Sequence, residues 1–435
     1  MDTDSVIYQI HPLGFCGAPD RPDGSDSHRI LHVTDWIGHL TQLGITHVLF
    51  NPVFASDQNG YDIRDPFHID PRLGTDEDFR TVCDALHEAG IGVILDIVFN
   101  HAGRGLPQFQ DVLEKKWDSP YCGWFFLNFD DPWAPDGFTY GNWEGHNNLV
   151  KLNLNHPDVR AFLFQAAQHW IETVQPDGFR ISSAYCMDRG FLRALSDHLH
   201  ALKPDLFLLG EMIGGDYTIL LNDCGLDSVT NYQLRSRLCS SLNAGYLPEI
   251  ADTLNRQFGK DPWCQYTGTH LLSFADNHDT DRIASVLNDP RDLPLAYDLL
   301  YAMPGIPCLY YGSEWGITGT RTSTSDDAVR PSLQSAEWNA LTLHLSFLAS
   351  LRRAHPVLFS GSYEPVYTAR QQLAFIRRNK TELFLYALNT DDKDAAITIG
   401  RPLPELKDLL TGEICSSTQT LTLKPKQSLF LCRRF

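Results

Sequence analysis

Val93-Ile94-Leu95-Asp96-Ile97-Val98-Phe99-Asn100-His101 is an apolar run that ends in a polar cluster. Three further segments are built alike: Gly178-Phe179-Arg180-Ile181-Ser182, Leu206-Phe207-Leu208-Leu209-Gly210-Glu211 and Phe274-Ala275-Asp276-Asn277-His278-Asp279. Short, nearly continuous apolar runs of this kind are the pattern of strands covered on both faces, as in a parallel sheet. Barrel enzymes gather their chemistry at the C-terminal ends of such strands. Asp96, Arg180, Ser182, Glu211 and Asp279 all fall at or near predicted strand ends. Any one of the acidic residues alone reads as a helix cap; their recurrence at several strand ends points to one shared mouth.

Working outward, the same alternation of apolar runs and helix-period stretches predicts eight strands: Val6 to Ile10, His47 to Val53, Val93 to Phe99, Gly178 to Ser182, Leu206 to Gly210, Ser228 to Tyr232, Leu271 to Ala275 and Cys308 to Tyr311. Amphipathic helices are expected at Ile37 to Leu43, Asp76 to Ala89, Asp158 to Thr173, Arg189 to Leu202, Leu247 to Gln257 and Pro294 to Tyr301. The expected fold class is α/β, a closed (β/α)8 TIM barrel over residues 1–101 and 155–355. Residues 102–154, rich in Trp, Phe, Asp, Gly and Pro and too long for a plain loop, read as an inserted subdomain after strand three. From residue 356 to 435 the period becomes two, which predicts a C-terminal antiparallel β-sandwich.

Composition narrows the function. The chain has 435 residues and a net charge of −19, from 35 basic and 54 acidic residues, which disfavours a nucleic-acid footprint and is compatible with a neutral substrate. The start, Met1 to Ser5, lacks a basic and apolar leader, and no run approaches a membrane span, so no membrane partner and a cytoplasmic location are expected. Ten cysteines without metal or CxxC spacing read as reduced thiols. No glycine-rich phosphate loop follows a strand, and the histidines are scattered, so no cofactor is required.

The four segments together resemble the signature regions of the α-amylase family of glycoside hydrolases (family 13), and the resemblance covers roughly Val6 to Phe435. It implies retaining cleavage or transglycosylation at α-glucosidic bonds of malto-oligosaccharides or related α-glucans. Matched position by position, His101 and Arg180 are substrate-binding or orienting residues, Glu211 is the general acid/base, His278 grips sugar hydroxyls and Asp279 is the transition-state stabiliser. Gly60-Tyr61-Asp62 resembles the loop whose Tyr stacks under the sugar and whose Asp is an inner partner of the site. Asn100 matches a residue that binds calcium in many members and only braces the site in others, so calcium is an open expectation. Pro304 to Gly312 resembles the family's structural segment at strand eight. Lys151-Leu152-Asn153 resembles the neopullulanase and cyclomaltodextrinase branch.

The chain departs from the pattern at the position that matters most. Retaining glycosidases use two carboxyl groups about 5 to 5.5 Å apart, and the nucleophile belongs two residues past Arg180, where this chain has Ser182. A serine hydroxyl without a general base is a poor nucleophile and cannot stabilise an oxocarbenium ion as a carboxylate does. Since the other members are present, Ser182 reads as an engineered replacement of an aspartate that stops turnover. Two alternatives remain: a natural, catalytically dead sugar-binding or scaffold protein, and a mechanism in which Ser182 acts with Ser183 or a substrate group. Further departures are Asn59, where many members have histidine, and Ser183-Ala184-Tyr185-Cys186, which replaces an Ala-Ala-Lys-His type ending on the leaving-group side. The branch's extra N-terminal sandwich is not expected, because strand one begins by Val6. In the inserted segment, Trp124, Phe125, Trp133 and Trp143 serve either sugar stacking or the subdomain's own core. Chain-length and linkage preference would be set by loops such as Asp216 to Leu226 and Gly316 to Asp327; oligomeric state is left open.

Overall fold

The computed structural model describes residues 5–21, 27–131, 133–416 and 419–435; the reading of the chain start rests on residues outside this set. Eight parallel strands, β1 (Ile7–Ile10), β2 (His47–Phe50), β3 (Gly92–Ile97), β4 (Gly178–Ile181), β5 (Phe207–Gly210), β6 (Ser228–Val229), β7 (Leu272–Phe274) and β8 (Ile306–Tyr310), run in the order β6-β5-β4-β3-β2-β1-β8-β7. A parallel bridge between Thr230 and Leu272 closes the sheet into a barrel, with the Asn231 N–H on the Leu272 carbonyl at 2.8 Å. The expected strands are all present, each one to three residues shorter or shifted at its ends.

Side-chain direction follows the period of two along each strand. Ile7, Leu49, Ile94, Phe207, Leu209, Leu272, Phe274, Ile306 and Cys308 form the barrel's interior cluster. Their neighbours, such as Tyr8, Val48, Phe50, Val93, Leu95, Phe179 and Leu208, pack outward against the helices. Gly178 takes an interior position on β4, where a Cβ would meet the Phe207 carbonyl at 2.6 Å, so only glycine lets β4 and β5 approach. Continuing the same parity past the apolar layer reaches Gln9, Asn51, Asp96, Arg180, Ser182, Glu211 and Asp276, all buried. The polar mouth is therefore the inward face of the strands after their hydrophobic residues run out.

The expected helices form, at Ile37–Leu43, Asp76–Glu88, Pro157–Val174, Arg189–Leu202, Pro248–Phe258 and Asp292–Ala302. Thr75 and Asp78 make a capping box at the start of the second, and Pro157 occupies the first turn of the third. Among the described residues, the longer helices not anticipated are Pro107–Lys115, Tyr232–Ala244 and Ala340–Ala354. No described helix is long and apolar enough to cross a membrane.

After β3, His101–Gly103 pairs with His146–Lys151, which pairs with Asn142–Trp143. Phe109, Phe125, Phe129, Phe138 and Tyr140 interlock beneath this small sheet. At the C-terminus, Ser362–Thr368, Gln372–Arg378, Glu382–Asn389, Gln427–Arg434, Leu406–Asp408 and Ile414–Cys415 form an antiparallel sheet in that order. One face, with Phe375, Phe384, Tyr386 and Phe430, joins the barrel's main core. The other, with Ala374, Ile376, Leu385 and Ala387, is covered by the hairpin Ala395–Thr398 and Thr420–Leu423. The two opposed layers are those of the expected sandwich.

Candidate active site

Strand register carries the polar ends to one place. The Ser182 N–H bonds the Ile97 carbonyl and the Glu211 N–H the Ile181 carbonyl, both at 2.9 Å, so the ladder extends one residue beyond the strands. Arg180 is buried and spans two carboxylates: Nη1 donates to Asp96 Oδ2 and Nη2 to Glu211 Oε1, each at 2.5 Å. The other Glu211 oxygen accepts the Ser183 N–H at 2.6 Å. Ser183 holds a left-handed conformation, φ 55°, which turns that N–H toward the carboxylate. Ser182, buried, lies in sequence between Arg180 and Ser183, the two residues that grip Glu211.

A second network reaches across the barrel. Asp96 accepts only, so Asn51 turns Nδ2 toward it at 3.1 Å and presents Oδ1 to Gln9 Nε2 at 3.1 Å. Gln9 Nε2 then donates to His278 Nδ1 at 2.9 Å, which leaves the ring proton on Nε2. His278 Nε2 lies 2.9 Å from Asp279 Oδ2 and 2.6 Å from the Tyr61 hydroxyl. Tyr61 donates to Asp96 Oδ2 at 2.9 Å and its ring lies parallel to that of His278. Hydrogen bonds and ion pairs thus connect Tyr61, Arg180, Glu211, His278 and Asp279 through Asp96, and Ser182 follows Arg180 at the end of β4.

Charge in this mouth is set by burial against neighbours. Burial pushes the Glu211 carboxyl above its usual range, opposed by Arg180 and the Ser183 N–H and assisted by Asp279. Burial acts the same way on Asp279, but His278, Arg330 and Arg180 outweigh it and hold that carboxyl well below the usual range. Two carboxyl groups in one site are pushed in opposite directions, the arrangement that separates an acid from a permanent anion.

Other expected residues have different surroundings. His101 is buried, its pKa lowered to about 4 by desolvation, and its ring lies 5.7 Å from Trp143 of the inserted segment. Asp62 is buried and accepts the Asn59 N–H at 3.0 Å, while Asn59 Oδ1 accepts the Tyr61 N–H at 2.9 Å; the pair fixes the turn that presents Tyr61. Burial raises the Asp62 carboxyl. Asn100 Oδ1 is buried without a partner. That is one oxygen toward the six to eight a calcium ion takes. Trp124 and Phe125 belong to the core, whereas Trp133 is 93% exposed.

Sequence reasoning did not name Gln9, Asn51 or Arg330. Arg330 Nε donates to the His278 carbonyl at 3.1 Å and Nη2 lies 3.3 Å from Asp279 Oδ1. Gln9 and Asn51 could have been found from strand parity, as the first polar residues after interior Ile7 and Leu49; Arg330 lies on a loop where no period points inward.

The eight-stranded β/α barrel sets a buried arginine between carboxylates at its mouth, the architecture of a barrel enzyme. Residues 20–342 match the family described as alpha amylase, catalytic domain. A cyclomaltodextrinase of a Bacillus species is 29% identical, the match covering 96% of this chain and 77% of the relative. Neopullulanase 2 of Thermoactinomyces vulgaris is 30% identical over 98% of this chain and 77% of its own. The ligand-free structure of cyclic α-maltosyl-(1→6)-maltose hydrolase from Arthrobacter globiformis superposes with a TM-score of 0.84 at 26% identity, covering 100% of this chain and 99% of that one. The chain belongs to the α-amylase family of glycosidases.

Proposed function

We propose that the mouth binds malto-oligosaccharides or related α-glucans and is built for retaining hydrolysis or transglycosylation at their α-glucosidic bonds. Glu211 is the general acid/base, Asp279 the transition-state stabiliser, and Ser182 stands at the nucleophile's position; Tyr61, Asp62, His101, Arg180 and His278 bind or orient the sugar. The observation that supports this reading is the network that joins Arg180, Glu211, Tyr61, His278 and Asp279 through Asp96 at the inward strand ends. The relatives' names, which refer to maltodextrins and maltosyl-maltose, support an α-glucan.

In the forward reaction Glu211 gives its proton to the leaving oxygen as the bond to the anomeric carbon breaks, and the ionised Asp279 balances the positive charge that develops on the ring. No carboxylate is present at 182 to capture that carbon, so hydrolysis is strongly reduced in the chain as it stands. The serine reads as a replacement of aspartate, and the ten free cysteines favour a reducing, cytoplasmic setting. Ser182→Asp is expected to raise hydrolysis of maltotriose or p-nitrophenyl α-maltoside by at least about a hundredfold. No gain across a panel of α-glucosides would sink the reading and leave a sugar-binding protein, for which calorimetry with malto-oligosaccharides is the test.

A further inference from the structure

The inserted segment touches the barrel mouth through a two-residue hairpin. Trp143 pairs with His146, and the turn between them is Glu144-Gly145, with φ of 47° and 88°. Turns that need positive φ at both central residues favour Asn-Gly, Asp-Gly or Gly-Gly, because other side chains crowd the backbone there. Glutamate is a poor choice for such a turn, and the chain carries it at a cost in local stability.

What glutamate supplies is reach. Glu144 Oε1 accepts the Tyr185 hydroxyl at 2.6 Å. Tyr185 belongs to the loop after β4, and its N–H bonds the Glu211 carbonyl at 3.1 Å. On the same hairpin Trp143 lies beside His101. The tip therefore crosses the mouth from the end of β3 to the residue next to the acid. Glu144 is exposed, and the hydrogen bond from Tyr185 is to its Oε1. Beyond Glu211 the chain lines a cavity of about 430 Å³ with Ile213, Tyr217, Tyr232, Gln233 and Arg235. Tyr232 joins it to the mouth by accepting Asn277 Nδ2 at 2.8 Å.

We propose that Glu144 and Tyr185 form a sugar-recognising clasp on the leaving-group side of the cleft, selecting a saccharide over an apolar aglycone. An acid protonates the leaving oxygen, so groups hydrogen-bonded around Glu211 flank the leaving group. A carboxylate beside a phenol offers an acceptor and a donor to sugar hydroxyls; an aryl leaving group presents none. The inference rests on the α-glucan reading above.

Calorimetry on the unmodified chain and on Glu144→Asn and Tyr185→Phe tests it, with maltotetraose and p-nitrophenyl α-maltoside as probes. Each substitution is expected to weaken maltotetraose about tenfold, the worth of one charge-assisted hydrogen bond, and the aryl maltoside less than about twofold. Glu144→Asn should melt no lower than the unmodified chain, because asparagine suits the turn. Equal weakening of both ligands would show a merely structural contact, and no change in either would show no role; both overturn the clasp. Absence of heat with either ligand on the unmodified chain would overturn the α-glucan reading and the clasp with it.

Discussion

Arg180 and Glu211 form an ion pair inside the barrel, Nη2 to Oε1 at 2.5 Å, while the same guanidinium holds Asp96 through Nη1. Both partners are almost fully buried. Ser182, at the end of β4, brings no carboxylate to this cation; its partners are Asp96 and Glu211. Removing one partner of such a pair strands a buried charge. Arg180→Ala should therefore lower unfolding free energy by about 3–5 kcal/mol in chemical denaturation. A loss below about 1 kcal/mol would mean that the two carboxylates are relieved by water or protons.

Arg180 and the Ser183 N–H oppose the burial that raises the Glu211 carboxyl, and serine is a smaller side chain than aspartate. With β-maltosyl fluoride and a maltose acceptor, the acceptor hydroxyl would attack the anomeric carbon as Glu211 takes its proton and fluoride departs. Transfer products detectable by mass spectrometry are expected, and Glu211→Gln should abolish them. Their absence in the unmodified chain would count against this arrangement of base and leaving group.

Tyr61 ties the two networks together, touching Asp96, His278 and Asn51 through one hydroxyl. Tyr61→Phe leaves these buried groups short of a partner and should cost about 1–3 kcal/mol of stability. It should also weaken binding of maltotriose, because His278 loses one of the contacts that fix its ring. Unchanged melting together with unchanged affinity would show that the hydroxyl is dispensable.

His101 gives a pH signature. Its pKa falls from the ordinary 6.5 to about 4 through burial, so between those values the unfolded chain binds the proton more readily than the folded one. Its contribution is full above pH 6.5 and is lost progressively as pH falls to 4. Relative to His101→Gln, the unmodified chain should lose stability across this interval. Parallel melting curves for the two proteins from pH 7 to 4 would refute it.

Asp279 acts at lower pH. Its carboxyl is depressed below the ordinary 3.8, so its stabilising effect is present above that value and fades as pH falls below it. Asp279→Asn should thus melt below the unmodified chain at pH 7, with the gap narrowing in strong acid. A gap that is constant with pH would place its origin outside ionisation.

The barrel was legible because its strands are covered on both faces, so whole apolar runs such as Val93 to Phe99 stand out from their surroundings. Helix Tyr232–Ala244 was harder: it begins three residues after β6 and carries serines at 236, 240 and 241, which blur its apolar stripe. Helix Ala340–Ala354 does bury Leu345, Leu348, Ala349 and Arg352 on one face; the stripe includes an arginine, which a hydrophobic period discounts. In the site, residues that end strands were visible and those that act through long-range bonds were not. Gln9 meets His278 across 269 positions, and the contact of Glu144 with Tyr185 depends on where a hairpin from the inserted segment comes to rest. Neither leaves a local mark on the sequence.

The barrel's eighth seam is unlike the other seven. Elsewhere neighbouring strands are joined by ladders, but β6 and β7 meet through one bridge at Thr230 and Leu272 and the adjoining Asn231 contact. Stiffness is thus distributed unevenly around the ring. This sparsely bonded seam lies between the strand that follows Glu211 and the strand that leads to Asp279. A ligand that draws them together would act across the seam that the fewest backbone bonds hold.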